Sequence, residues 1–238
     1  MNDWIAFWDS EHSIYVNARH RDVHYRVIAE NIRALIALRL SQARDDGAPV
    51  VLDYGCGEAL HADRVAEVAS RLILCEAAPK VLAGLAERFA TYPRIEVHSS
   101  AAAAALPDRS LDIVVLHSVA QYLAPTEFDT LLALFRRLLK PTGRLFIGDI
   151  IPPRLPAARD AIALLKFAGA NGFFIAALFG LGRTLLSDYW RLRGQLGLTR
   201  YDESAIAKKL SAAAFAATRL PANIGHNQAR MTFSARPV

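Results

Sequence analysis

The sequence predicts an α/β fold built on a largely parallel sheet, and three observations carry that expectation. Short apolar runs of strand length alternate with longer segments of helical periodicity from about residue 50 to residue 150. The first run, Val50-Val51-Leu52-Asp53-Tyr54, ends on an acid and a tyrosine and leads into Gly55-Cys56-Gly57, two glycines one residue apart. Such a turn lets the backbone approach a ligand closely, and the helix that follows offers N-terminal N–H groups to the same ligand. The third observation is bulk: 238 residues, 53% hydrophobic and only 21% charged, suffice to bury a full core in one domain, or one domain with an insertion.

Taken in order, residues 1–19 read as an aromatic arm, with Trp4, Phe7, Trp8, Ile14 and Tyr15 ready to pack back onto the body. A helix is predicted at 20–41, where Ile28, Ile32, Leu35 and Ile36 share one face, and Asp45-Asp46-Gly47-Ala48-Pro49 ends it. Strand 50–54, helix 58–70, strand 71–75, helix 79–90, strand 94–98, strand 111–116, helix 126–139 and strand 143–150 follow. Strands linked through helices demand right-handed crossovers and hence parallel pairing. The small-residue run Ala101 to Ala105 reads as a loop or short helix.

After Pro152-Pro153 the alternation stops. Residues 157–193 are rich in Ala, Leu and Phe, and Phe167 to Gly182 is a run of sixteen uncharged residues with four glycines. That is short of the ~20 residues a bilayer span needs, so a helical lid or an interfacial helix is expected. Phe173, Phe174, Leu178 and Phe179 supply its apolar face, with Lys166 and Arg183 at its ends. Helix 203–213 and strands 214–220 and 228–236 close the chain.

The residue types at the glycine turn select among nucleotide-type ligands. A dinucleotide site asks for G-x-G-x-x-G, but Leu60 holds the third glycine's place and Asp53 would repel a pyrophosphate. A carboxylate there suits a ligand bearing an ammonium group. The segment resembles motif I of the class I S-adenosylmethionine-dependent methyltransferases, D-x-G-x-G-x-G, with Ala59 in place of the last glycine. Three further segments resemble that family in the required order. They are Arg71-Leu72-Ile73-Leu74-Cys75-Glu76, Ser110-Leu111-Asp112-Ile113-Val114-Val115-Leu116-His117, and Lys140-Pro141-Thr142-Gly143-Arg144-Leu145-Phe146-Ile147. Arg230-Met231-Thr232-Phe233 fits its last, antiparallel strand. The resemblance covers residues 45–150 and, more weakly, 200–238.

What the resemblance implies is a Rossmann-like, seven-stranded, mostly parallel sheet in the order 3-2-1-4-5-7-6, with helices on both faces and a helical cap. It divides the chain into an arm and helix closing over the cofactor (1–44), a cofactor-binding core (45–151), a cap (152–200), and the last helix and strands of the core (201–238). S-adenosyl-L-methionine is the implied cofactor. Asp53, Gly55, Cys56 and Gly57 are its candidate loop contacts, Glu76 the acceptor for its ribose hydroxyls, with Ala77 and Ser100 on the adenine side and Tyr15 on the methionine end. Asn17, Arg19 and His20 belong to the same arm. Ser99 and Ser100 stand where the family often carries an acid on the adenine amino group. Asp112 is left open between a structural role and the adenine-side loop.

His117, just past the fourth strand, is either packed or faces the methyl donor, and His226 either reaches the substrate mouth or caps its turn. With Asp149 they are the candidate bases, should the acceptor need one. The sequence His117-Ser118-Val119-Ala120 lacks the [DN]-P-P-[YF] of enzymes that methylate base amines, so no nucleic-acid substrate is expected. The net charge of +5 is spread among scattered arginines, which argues the same way. His20 and His24 stand four residues apart, but His20-Arg21-Asp22-Val23-His24 is not H-E-x-x-H, and no metal site is expected. The two cysteines, Cys56 and Cys75, do not form a disulfide framework, and no signal peptide is read at the N-terminus, so a cytoplasmic setting is expected, with peripheral membrane contact through 167–182 left open. The expected function is direct methyl displacement onto a small, hydrophobic or lipid-like acceptor. A non-catalytic cofactor-binding protein of this fold and a nicotinamide-dependent reductase are the rivals.

Overall fold

Each apolar run read as a strand is one in the computed structural model, which describes residues 3–10, 14–42, 47–184 and 197–238. β1 (Val50–Tyr54) and β2 (Arg71–Cys75) have the expected limits. β3 (Ile95–His98), β4 (Leu111–His117), β5 (Leu139–Ile150), β6 (Phe215–Arg219) and β7 (Met231–Pro237) complete a seven-stranded sheet. Its order is β3-β2-β1-β4-β5-β7-β6, with β7 antiparallel to both neighbours and the pairs from β3 to β5 parallel. This is the Rossmann-like arrangement expected from the motifs.

Period-2 alternation on strands buried from both sides sorts the core into two layers. Val51, Leu72, Leu74, Ile113, Val115 and Phe146 meet α2 (Ala18–Gln42), α3 (Ala62–Ala66) and α4 (Pro79–Arg88) on one face. Leu52, Ile73, Val114, Leu116, Leu145 and Ile147 meet α6 (Pro125–Leu138) and α9 (Glu203–Ala212) on the other, with α5 (Ser100–Ala104) at its margin. Phe128, Phe135 and Phe233 are completely or almost completely buried in that second layer, each worth about 1.5–3 kcal/mol of transfer free energy.

Elsewhere the limits shift for local reasons. The helix expected at 58–70 shrinks to α3, because positive φ at Gly55, Gly57 and Ala59 keeps the chain in a turn. β5 begins at Leu139 rather than 143, pairing with Leu111 before a bulge. β7 begins at Met231 rather than 228, since the side chains of Asn223, Asn227 and Gln228 hold the preceding residues in a hydrogen-bonded turn. The apolar segment is two helices, α7 (Ala157–Asn171) and α8 (Phe174–Thr184), broken at Gly172 with φ of 73°. Residues 185–193 of the expected segment lie outside the described residues. At the N-terminus, α1 (Asp3–Trp8) supplies the aromatic arm.

Asp112 is structural. Its carboxylate accepts from the Val50 backbone N–H at 2.9 Å and from Lys140 Nζ at 2.9 and 3.0 Å, with Arg39 Nη2 at 3.9 Å. It thereby ties the amino ends of β1, β4 and β5 together, at the opposite end of the sheet from the adenine-side loop. We expect Asp112→Ala to cost about 2–3 kcal/mol by leaving a buried N–H and two cations without their acceptor, and Asp112→Asn to cost less. Chemical denaturation checks both; an Ala variant of wild-type stability would remove this role.

Candidate cofactor cleft

The chain runs outward from β1 to β3 and then crosses back to β4, so a crevice opens at the carboxyl ends of β1 and β4. A cleft of about 440 Å³ occupies it. Its floor is the β1–α3 turn, and the glycines there are required by what surrounds them. Gly55 has φ of 74°, and a Cβ at that position would lie 2.4 Å from Val119 Cγ2. Gly57 has φ of 59°, and its Cβ would lie 2.7 Å from the Tyr25 hydroxyl. Ala59 also has a positive φ, 41°, a conformation costing an L-residue roughly 1–2 kcal/mol. The missing third glycine therefore leaves strain at the loop's end.

The loop is held by the tip of β2. Gly55 N and Cys56 N both donate to Cys75 O, at 2.8 and 3.2 Å. Gly57 N donates to Glu76 Oε2 at 2.9 Å, while Ala77 N and Ala78 N donate to Glu76 Oε1 at 2.7 and 3.0 Å. Three backbone donors thus fix a carboxylate whose side chain borders the cleft, leaving one of its roughly four acceptor positions open. Tyr25 adds a second brace from α2. Its hydroxyl accepts from Glu58 N at 3.0 Å and pairs with the Tyr15 hydroxyl at 3.1 Å. Burial pushes the Tyr25 phenol up to about 12, so it stays neutral.

The aromatic arm forms the roof. Trp4 and Trp8 pack on Tyr122 with ring centroids 4.6 and 5.8 Å apart, and all three line the cleft. Lys80 N donates to Asp9, which ties the arm to the start of α4. On the far side His117 and Ser118 close the wall. Ser118 donates to Asp149 Oδ2, its hydroxyl lies 3.4 Å from His117 Nε2, and Arg230 Nη1 stands 2.7 Å from the same Asp149 oxygen. Ser118 and Asp149 both hold positive φ, 57° and 66°, two non-glycine residues kept in strained conformations side by side. Burial alone would raise the Asp149 pKa, but the Arg230 charge and the Ser118 hydroxyl hold it below the usual carboxylate value. Burial lowers that of His117 despite Asp149 nearby.

The comparisons with known proteins agree with this geometry. Residues 52–147 match the sequence profile of the family described as methyltransferase domain. Residues 52–147 therefore carry a methyltransferase domain. A protein of Mycolicibacterium smegmatis described as a probable S-adenosylmethionine-dependent methyltransferase is 39% identical over 74 residues, which is 31% of this chain and 28% of that protein. The match therefore spans less than a third of that curated relative. Among solved structures, the magnesium protoporphyrin IX methyltransferase of Synechocystis with bound SAM superposes with a TM-score of 0.56 at 15% identity, covering 94% of this chain and 86% of that one. The 1,6-didemethyltoxoflavin-N1-methyltransferase of Burkholderia thailandensis gives 0.54 at 19% identity over 89% and 78%. At such identities these structures establish the fold.

Of the residues expected at the site, Tyr15, Gly55, Cys56, Gly57, Glu76, Ala77, Ser100 and His117 all border the cleft. Asp53 and His226 are set back from it. Asp53 faces a void of about 20 Å³ behind Cys56, shared with Tyr25 and Ile28, and burial with the nearby Glu76 charge raises its pKa to about 7. His226 stacks on Phe167 at 4.4 Å, because its turn is covered by α7. Burial holds the Cys56 and Cys75 thiols protonated, the latter pushed up to about 12. Sequence reasoning missed Tyr25, Tyr122 and His24 as cleft residues; each sits in an ordinary helical pattern, and only the tertiary approach of α2 and residues 120–122 brings it in. Residues 167–182 do not border the cleft. Phe173, expected on the apolar face of that segment, points inward and stacks on His20 at 5.0 Å. The cap bears on the arm instead: Arg19 Nε donates to Asn171 O, and α8 approaches so closely that a Cβ on Gly180 would lie 2.2 Å from Val16 Cγ1. No group of three or more metal-ligating side chains occurs among the described residues.

The histidines set an acid limit on stability. Burial, joined by neighbouring histidines, lowers His20 to about 4 and His24 to about 3, from 6.5 in the unfolded chain. The unfolded chain then binds more protons below pH 6.5, so stability falls as pH drops from 6.5 toward 4. Asp53, at about 7 against 3.8 unfolded, acts with opposite sign over 7 to 3.8. Two histidines against one aspartate leave a net loss on acidification. We expect Tm to fall between pH 6.5 and 4.5, and His24→Phe to flatten that fall; an unchanged slope in the variant would show His24 is not titrating in unfolding.

Proposed function

We propose that this chain is an S-adenosylmethionine-dependent methyltransferase acting on a small, largely apolar acceptor by direct displacement. The observation that carries the reading is Glu76, a carboxylate pinned by three backbone N–H groups beside a glycine turn and a cleft large enough for a cofactor and part of an acceptor. The residues present fit S-adenosylmethionine. Glu76 offers its open acceptor position to the ribose, Ala77 and Ser100 take the adenine side, and Tyr15 with the Gly55–Gly57 turn takes the methionine end. Asp53, set behind Cys56, acts on the ammonium group through space instead of by contact. The cofactor supplies an electrophilic methyl on a sulfonium, so the protein's part is alignment and exclusion of water.

The aromatic arm is the acceptor side of that alignment. Trp4, Trp8, Tyr122, Leu123 and Leu131 present apolar surface at the cleft, which favours an acceptor with a flat or aliphatic body. The solved relatives named for magnesium protoporphyrin IX and 1,6-didemethyltoxoflavin support a small-molecule acceptor. His117, kept neutral by burial and backed by Ser118 and Asp149, is our candidate for the group that takes a proton from the acceptor. His226 is the weaker candidate, lying behind Phe167. The division into arm and helix (1–44), core (45–151), cap (152–200) and closing elements (201–238) belongs to the same reading.

Calorimetry and turnover together test it. Glu76→Ala is expected to weaken S-adenosylmethionine binding about tenfold and to lower Tm, because three loop N–H groups lose their acceptor. His117→Asn should reduce turnover while leaving the cofactor Kd within about threefold. Absence of S-adenosylmethionine binding in the intact protein would overturn the reading, and binding without turnover on any acceptor would favour a non-catalytic role.

A second reading concerns where the acceptor is met. No described helix is long and apolar enough to cross a membrane. Yet α8 exposes Phe174, Ile175, Leu178 and Phe179 on one side, with Ile175 and Phe179 more than 70% accessible. Phe174 lies across Gly169 of α7, one turn from the exposed Lys166. We infer peripheral contact with an anionic bilayer through this face, giving access to a lipid-like acceptor. Flotation with vesicles containing phosphatidylserine should recover the protein, and Phe179→Asp should abolish recovery. Equal recovery of both proteins, or none of either, would remove this reading.

A further inference from the structure

A second groove lies on the α2 side of the sheet, near the amino ends of the parallel strands and so away from the cofactor cleft. Its volume is about 390 Å³, and its charged lining is Arg39, Arg144 and Arg236. The sheet register makes that combination unusual. Leu145 pairs with Ala235 and Phe146 with Ser234, which sets Arg144 of β5 directly opposite Arg236 of β7 on the same face. Like charges placed directly opposite across an antiparallel pair are destabilising. Neither arginine makes an ion pair or hydrogen bond through its side chain with the rest of the described protein. Arg39 is buried and has Asp112 as its counter-charge at 3.9 Å, a carboxylate already bonded to Lys140. Burial, then Arg236 and Arg39, lower the Arg144 pKa from its ordinary value, so the groove is electropositive and partly desolvated.

The rest of the lining is suited to a compact anion. Thr218 and Ser234, cross-strand partners in β6 and β7, bring two hydroxyls to the same groove. Ala216 stands opposite Arg236 and leaves space beside its guanidinium, while Phe146 forms an apolar wall. Two guanidiniums without acid partners, a third close by and two hydroxyls around one cavity match a ligand with several acceptor oxygens.

We propose that the groove between β5, β7, β6 and the end of α2 binds a small phosphate-bearing anion at a site separate from the cofactor cleft. Arg144 and Arg236 supply the charge-assisted hydrogen bonds, and Thr218 and Ser234 orient the remaining oxygens. Binding relieves the cross-strand repulsion, so occupation of the groove stabilises the sheet edge on which β6 and β7 are paired.

The test uses inorganic pyrophosphate with the full chain, against sodium chloride matched for ionic strength. Pyrophosphate is expected to raise Tm saturably. The double variant Arg144→Gln/Arg236→Gln should weaken that effect at least about tenfold while leaving the S-adenosylmethionine Kd within about twofold. Without any anion, Arg144→Gln alone should raise Tm by about 2 °C, since it removes the like-charge pair. Several outcomes overturn the proposal: no saturable rise beyond the chloride control, the same rise in the double variant, or displacement of S-adenosylmethionine by pyrophosphate. Salt-sensitive binding of a short RNA duplex with no response to pyrophosphate does so too, since it would assign the charge to a nucleic-acid surface.

Discussion

Three successive backbone N–H groups, those of Gly55, Cys56 and Gly57, converge on the end of β2, two on Cys75 O and one on the Glu76 carboxylate. This convergence is the constraint on which the site depends. It forces positive φ at Gly55 and Gly57, brings Val119 and the Tyr25 hydroxyl to within touching distance of both, and shortens the following helix to α3. It also means that the acid at the tip of β2 is a structural clamp on the glycine turn as well as part of the cleft wall. A carboxylate that already accepts three backbone bonds is preorganised.

The opposite wall depends on a buried polar network instead of backbone. Arg230 links Asp149 to Asp160, and Asp149 reaches Ser118 and through it His117. Asp149 N also donates to Asn223 Oδ1, which fixes the carboxylate from behind. The two strained backbone positions, Ser118 and Asp149, are members of this network, and their hydrogen bonds hold them where bare propensity would not. Burial keeps the histidines around it neutral, so the wall can lie against a cationic cofactor without a competing positive charge from His117.

Arm and cap form a layered cover. The arm contributes aromatic rings to the cleft, and the cap contributes rings to the arm and to the turn between β6 and β7, Phe173 on His20 and Phe167 on His226. No residue of 167–182 borders the cleft, and α7 reaches the wall network through Asp160, whose carboxylate pairs with Arg230. The face of α8 turned away from the arm is left apolar and open, with Phe179 at 73% exposure.

Sequence alone determined the sheet, because strands such as Val50–Tyr54 and Arg71–Cys75 are short, mostly apolar runs and the crossovers between them leave few topologies. It also determined the glycine turn and Glu76, whose residue types are dictated by backbone geometry within a short span. It left Asp112 undecided, because one acid at a strand start looks the same whether it meets a ligand or, as here, Val50 N and Lys140. Tertiary structure alone decided that Tyr25 braces the turn from 33 residues away, that Asp53 and His226 stand back from the cleft, and that Phe173 turns in while Phe179 turns out. Each of those depends on the approach of elements distant in sequence, and no local periodicity encodes which side of a mostly apolar helix or arm meets its neighbour.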